Sequence, residues 1–172
     1  INQPNLDATR FSPKFSLNWT PSAAWEFTGS FGQAYRFPTV GELYQIVSGT
    51  NPVNPNPNLK PENILSSELA IQRKFQDGQV RVSVFNENVR QALISQTIAA
   101  STSTSFVANV DEVRNTGVEL AAQKDNAGIR GLSLFGSVTY VDSRIEKNAS
   151  WTGTDPLTTL RTSTINKHVP YV

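Results

Sequence analysis

Apolar and polar residues alternate with a period of two along much of the chain, the pattern of strands with one apolar and one polar face. In "FSPKFSLNWT", Phe11, Pro13, Phe15, Leu17 and Trp19 fall on one side, with Ser12, Lys14, Ser16, Asn18 and Thr20 on the other. The phase resumes in "WEFTGSF", where Trp25, Phe27, Gly29 and Phe31 alternate with Glu26, Thr28 and Ser30. The two stretches predict a hairpin with a short turn around Pro21 and Ser22. Trp19 and Trp25 are then expected where each strand meets that turn.

A second hairpin joins "SSELAIQRKF" to "QVRVSVF" through Asp77-Gly78, a dipeptide favoured in two-residue turns that need positive φ. Such a turn sets Phe75 opposite Val80, Arg73 opposite Val82 and Ile71 opposite Val84. Directly opposed residues share a face, so Leu69, Ile71, Phe75, Val80, Val82 and Val84 gather on one side. Glu68, Gln72, Lys74, Arg81 and Ser83 gather on the other. Beyond Phe85, Asn86 and Asn88 break the phase, which leaves room for a bulge. A third pair is "NTGVELAAQK" and "LSLFGSVTYV". Val118, Leu120 and Ala122 face one way, with Leu132, Leu134, Val138 and Tyr140 continuing that face; Phe135 and Val141 fall on the polar side.

The connections differ by end. Those at one end are short ("TPSA", "DG", "DNAGIRG"), whereas residues 35–61, 96–107 and 146–166 read as long loops. One of them contains "NPVNPNPNLKPE", whose prolines lack backbone donors and stiffen an extended connector. Short turns on one rim, long loops on the other and aromatics at the edges of an apolar band predict a transmembrane β-barrel. The fold class expected is all-β, roughly six antiparallel strands of a larger barrel wall.

Composition is compatible with this. Hydrophobic residues make up 38%, charged residues 17%, and mean hydropathy is −0.32. Alternating barrel strands average to such values, and no apolar run reaches the length of a transmembrane helix. A net charge of +1 gives no bulk attraction to nucleic acid. The chain has no cysteine and a single histidine, His168, so no disulfide, metal site or cofactor is expected. The adjacent pair Asp111 and Glu112 is too little for a calcium site, and the sequons "NWT" and "NAS" arise often by chance. No nucleophile, base and orienting group fall in a catalytic pattern, so no enzyme is expected. The chain starts at Ile1, lacks methionine and ends in "HVPYV", so it is expected to be a piece of something longer.

Three segments carry a resemblance to the TonB-dependent outer-membrane receptors: "AYRFPTVGELYQ" (34–45), "NPNLKPE" (56–62) and "VRNTGVELAAQ" (113–123). The resemblance runs from about Phe11 to Val172. It implies a plugged barrel of about 22 strands, of which residues 1–172 form part of the wall, with the plug and the final strand elsewhere. It also implies a receptor in the bacterial outer membrane that takes up a scarce nutrient, such as a ferric siderophore, with energy relayed through the TonB complex. The partners implied are TonB, the protein's own plug, outer-membrane lipid and a small nutrient ligand.

On this reading Arg36, Tyr44 and Trp151 are candidate ligand-contacting loop residues. For Arg36, Glu42 and Tyr44 the loop-packing reading is favoured over ligand contact, and Pro38 falls near the start of a short helix in "PTVGELY". Trp151 either contacts ligand or packs its own loop. Glu68, Gln72 and Glu119 would face the lumen or the plug, while Trp19, Trp25 and Phe75 would anchor at the membrane interface. Arg73, on the lipid side, is tolerable only near an interface. The competing reading is a soluble all-β adhesin or carbohydrate-binding module, whose apolar faces would pack against a second sheet.

Overall fold

The structure is a computed structural model that describes residues 9–44, 53–98, 104–149 and 163–169. Seven strands form one sheet: β1 (Lys14–Ser22), β2 (Trp25–Arg36), β3 (Val53–Asn54), β4 (Glu62–Phe75), β5 (Gly78–Ile98), β6 (Thr104–Lys124) and β7 (Leu134–Lys147). A five-residue helix, α1 (Val40–Tyr44), lies between β2 and β3. The six long strands pair antiparallel in the order β1-β2-β4-β5-β6-β7, and β3 joins β6 in parallel. No described helix is long and apolar enough to cross a membrane.

The hairpins form where the alternation places them, with two corrections. The first turn falls on Ala23 and Ala24, not on Pro21 and Ser22. Pro21 has no N–H for a ladder, so β1 absorbs it in an irregularity between Trp19 and Ser22 and runs on to the turn. Trp25 therefore opens β2 directly after the turn, whereas Trp19 stands back from it and opposes Phe27. In the second hairpin the turn residues are Gln76 and Asp77, and the register is Phe75↔Gly78, Arg73↔Val80, Ile71↔Val82 and Leu69↔Val84. Gly78 belongs to β5, and its lack of a side chain serves the next strand: a Cβ there would lie 2.3 Å from the Gln123 carbonyl oxygen of β6. The register differs from expectation by two residues, and an even shift keeps every side chain on its expected face.

The registers align residues into rows across the sheet. One face carries Trp19, Phe27, Ile71, Val82, Leu120 and Val138 in one row and Leu17, Gly29, Leu69, Val84, Val118 and Tyr140 in the next. Leu69, Tyr140 and Val138 on this face are 67%, 71% and 72% exposed. The opposite face carries Thr28, Ala70, Ser83, Glu119 and Thr139 in a row beside Ser30, Glu68, Phe85, Gly117 and Val141. The apolar face is the larger hydrophobic surface of the sheet, and no described element packs on it.

The phase beyond Phe85 has a simple resolution. Pairing is continuous from Gly78 to Arg90, so no bulge intervenes. The two faces exchange character instead: Asn86, Asn88 and Arg90 continue the apolar face, while Phe85 and Val89 continue the polar one. Val89 joins Val113, Ile145, Ala92 and Val110 in a buried cluster, with Ile64, Ile94 and Val169 against it. Gln91 takes a positive φ of 56°, and this break in alternation lets Val89 and Ala92 enter the same cluster. The expected long loop at 96–107 is also corrected, because β5 and β6 continue as strands to Ile98 and from Thr104. Their last seven pairs, Ala92↔Val110 to Ile98↔Thr104, extend past the ends of β4 and β7 by roughly 23 Å at about 3.3 Å per residue.

Gly117 shows how closely the wall is fitted. A Cβ at this position would lie 2.3 Å from Phe85 Cζ and 2.6 Å from the Tyr140 carbonyl oxygen. The ring has room to move, but the carbonyl is fixed in the ladder. Gly117→Val in the full-length protein is expected to lower stability by about 1–3 kcal/mol. The measurement is the temperature at which the folded, fast-migrating gel form disappears, and an unchanged temperature contradicts the packing described.

Candidate functional site

The long-loop rim gathers charged groups around Arg36, the last residue of β2. Thr39 caps α1: its hydroxyl accepts the Glu42 N–H at 3.3 Å, and its own N–H donates to Glu42 Oε2 at 2.7 Å. This reciprocal pair is a capping box. Sequence reasoning missed it, although the Thr-Val-Gly-Glu spacing is the signal that could have found it. Pro38 precedes the cap, and Leu43 is buried on the helix.

Arg36 donates to both oxygens of Glu42, from Nη1 at 3.2 and 3.3 Å, and its Nε lies 3.7 Å from Glu62 Oε2. Glu62 Oε2 also accepts the Leu93 N–H at 2.9 Å, just after the break at Gln91. One guanidinium thus joins the end of β2, helix α1, the start of β4 and the kink of β5. It also joins two of the sequence landmarks, since Glu62 closes "NPNLKPE". The rest of that segment docks on β6: Asn56 Nδ2 donates to the Val107 carbonyl at 3.0 Å, and Lys60 N–H donates to Asn109 Oδ1 at 2.8 Å. Asn109 Nδ2 in turn donates to the carbonyls of Lys60 at 3.0 Å and Gln91 at 2.8 Å. The expected extended connector is corrected in part: the segment turns at Pro57 and Asn58, where Asn56 Oδ1 accepts the Asn58 N–H at 3.2 Å and the Asn56 carbonyl accepts the Leu59 N–H at 3.4 Å, before Asn109 takes both backbone groups of Lys60. Sequence reasoning missed Asn109, and nothing in its local sequence marks it.

The other candidates are dispersed. Tyr44 lies at the end of α1, and its buried hydroxyl has no hydrogen-bond partner among the described residues. Trp151 lies outside the described residues. On the polar face Glu68 accepts from Arg81 at 2.7 Å, Gln72 donates to Gln79 at 3.0 Å, and Lys74 donates to Glu26 at 2.9 Å. Glu119 shares this face, one row from Glu68, and no described group bonds its carboxylate. In the third landmark, Asn115 donates to Glu87 at 2.9 Å and accepts from Ser143 at 2.6 Å, tying three strands on the same face. Trp19 and Trp25 both lie beside Phe27, with ring centroids 5.2 and 6.3 Å from it, and Phe75 is at the short-turn end of β4. No group of three or more metal-ligating side chains occurs among the described residues.

A profile of the family described as TonB dependent receptor-like, beta-barrel, matches residues 2–169. The chain belongs to the TonB-dependent receptor β-barrel family. It is 30% identical to a hemin receptor of Yersinia pestis over 131 residues, 66% of this chain and 19% of that protein. It is also 30% identical to the vitamin B12 transporter BtuB of Vibrio vulnificus over 106 residues, 62% of this chain and 16% of the transporter. The chain therefore spans less than a fifth of the curated relatives it matches. Among solved structures, the copper transporter OprC superposes with a TM-score of 0.62 at 19% identity, covering 78% of this chain and 21% of OprC. The FrpB iron transporter of Neisseria meningitidis gives 0.57 at 20% identity, with 81% and 20% covered.

The family is one of outer-membrane receptors and transporters, not enzymes. Its setting identifies the exposed apolar rows as the surface that meets outer-membrane lipid, and it sets aside the soluble adhesin or binding module. In barrels of the outer membrane the short turns border the periplasm and the long loops lie on the outer side.

The Arg36 rim has a defined pH response. Burial opposes ionisation of Glu42, but the bonds from the Thr39 N–H and hydroxyl and from Arg36 outweigh it, so the carboxyl titrates below its ordinary 4.5. A group with a depressed pKa contributes stability above its unfolded pKa and loses it as pH falls through the folded value. A nitroxide attached through Val40→Cys, at the exposed start of α1, is therefore expected to stay immobile from neutral pH down to about 4.5. Its mobility should rise only below that value. In Glu42→Gln, which removes the charged partner of Arg36, the label should already be more mobile at neutral pH. Loosening of the unmodified loop well above 4.5 contradicts the clamp.

Proposed function

We propose that the full-length protein is a TonB-energised outer-membrane receptor for a scarce, bulky nutrient, and that its cargo is a metal chelate of the ferric-siderophore type. The observation that carries this reading is the two-faced wall: lipid-matched rows on one side and a hydrogen-bonded polar ladder on the other. The named cargoes of the relatives support a chelate, since hemin, vitamin B12, copper and iron are metals or metal complexes.

In this scheme residues 1–172 are part of the barrel domain, and the plug, the TonB contact and the final strand are supplied by other parts of the protein. Glu68 and Gln72 line the lumen as members of paired groups, and Glu119 offers the plug a carboxylate that the wall leaves open. Arg36 holds the loop in shape. The Tyr44 hydroxyl, which lacks a partner among the described residues, and Trp151 are the loop groups proposed to meet ligand or plug. Trp19, Trp25 and Phe75 set the depth of the wall in the membrane, their rings placed at headgroup level. TonB-relayed energy would shift the plug between states of different ligand affinity, which is what releases cargo inward.

The test is growth of a deletion strain under iron limitation with one ferric siderophore, hemin or cobalamin supplied at a time. Loss of growth on a ferric siderophore, restored by the full-length gene and reproduced by deleting tonB, is the expected result. Unimpaired use of every chelate contradicts uptake as the function. Loss on hemin or cobalamin alone keeps the receptor and replaces the cargo.

A further inference from the structure

The second lipid-facing row from the short turns, Trp25, Arg73, Val80, Ala122 and Gly136, contains one cation; in the row nearer the turns Lys124 lies 3.8 Å from Asp77. Arg73 pairs with Trp25 across β2 and with Val80 across β5, and it lies beside Phe75 on its own strand. Its guanidinium carbon is 5.1 Å from the centroid of the Trp25 ring and 5.0 Å from that of Phe75. Those two aromatic rings are its partners: no described carboxylate, carbonyl or amide accepts a hydrogen bond from it. Lys74, one residue on, faces the opposite side and is paired with Glu26 at 2.9 Å. The same alternation that gives Lys74 a carboxylate gives Arg73 an apolar neighbourhood, with Ile71 and Val82 in the row above.

A guanidinium carries five N–H donors in a planar fork, and leaving them without acceptors beside an apolar band is costly. Stacking satisfies the faces of the plane and leaves its edge free. The planar edge matches the two oxygens of a phosphate. Because this row faces lipid, the acceptor that can reach it is a headgroup, and at the short-turn rim that headgroup belongs to the periplasmic leaflet.

We propose that Arg73, held between Trp25 and Phe75, binds the phosphodiester of a phospholipid in the leaflet that borders the short turns. The site rests on the membrane placement of the apolar face. It fixes the depth of that rim by a specific polar contact, in addition to aromatic partitioning.

The experiment uses the full-length receptor in nanodiscs of phosphatidylethanolamine and phosphatidylglycerol, extracted into mild detergent and weighed by native mass spectrometry. The wild type is expected to retain bound phospholipid about fivefold more than Arg73→Gln, the effect of one basic side chain at a lipid headgroup surface. Arg73→Lys, which keeps the charge and loses the fork, should fall between them. Diacylglycerol, which has no phosphate, should not displace the retained lipid from the wild type. Equal retention by Arg73→Gln and wild type overturns the proposal, as does displacement by diacylglycerol. Should Arg73→Gln fail to assemble, the displacement by diacylglycerol measured on the wild type decides alone. Absence of any retained lipid in the wild type overturns the site together with the membrane placement beneath it, whereas retained lipid insensitive to Arg73 overturns the site only.

Discussion

A sheet with an apolar face that no protein layer covers is stable only where its solvent is itself apolar, and the rest of this structure follows from that. In water, a contiguous surface built from Leu69, Ile71, Val82, Val84, Val118 and Leu120 would drive aggregation. In lipid those side chains meet a matched environment. The same environment offers no water to backbone N–H and C=O groups, so each must be satisfied within the sheet. The continuous antiparallel ladders do this for the inner strands, whereas β1 and β7 are the edges of the described sheet, and Pro21, which cannot take part, is confined to an irregularity on β1.

The limits of the lipid are visible where the faces exchange character. From Asn86 upward, the strands still pair in register, but the former apolar face turns polar and the opposite face closes into the Val89 cluster. There the fold follows the ordinary rule of a buried apolar core. The landmarks "AYRFPTVGELYQ" and "NPNLKPE" meet at this level through Arg36 and Glu62. They act as clasps that hold long connections against projecting strands.

Much of this was legible in the sequence because period-two alternation is a direct readout of which face each residue occupies. The six long strands, the two faces and the short-turn rim all follow from it. The registers were less legible. Asp77-Gly78 suggested a turn at those residues, whereas Gly78 is required by the Gln123 carbonyl of β6, a contact distant in sequence. The extension of β5 and β6 through 92–98 and 104–110 was hidden because Gln91 breaks the alternation, which made strand look like loop. Of the candidate site, the short helix in "PTVGELY" was read, but its capping box of Thr39 and Glu42 was passed over although the spacing carries it. The role of Asn109 was not readable, because it answers backbone groups brought to it by the fold.

The central claim is that one face of this wall meets lipid and the other meets water or protein. Nitroxide labels placed singly at Leu69, Val84 and Val118, and at Glu68, Ser83 and Glu119, of the full-length protein in bilayers test it directly. The account predicts that the first three labels collide readily with dissolved oxygen and poorly with a water-soluble nickel chelate, while the last three do not show that preference for oxygen. Equal accessibility of the two sets, or an oxygen preference on the Glu68 side, would contradict it.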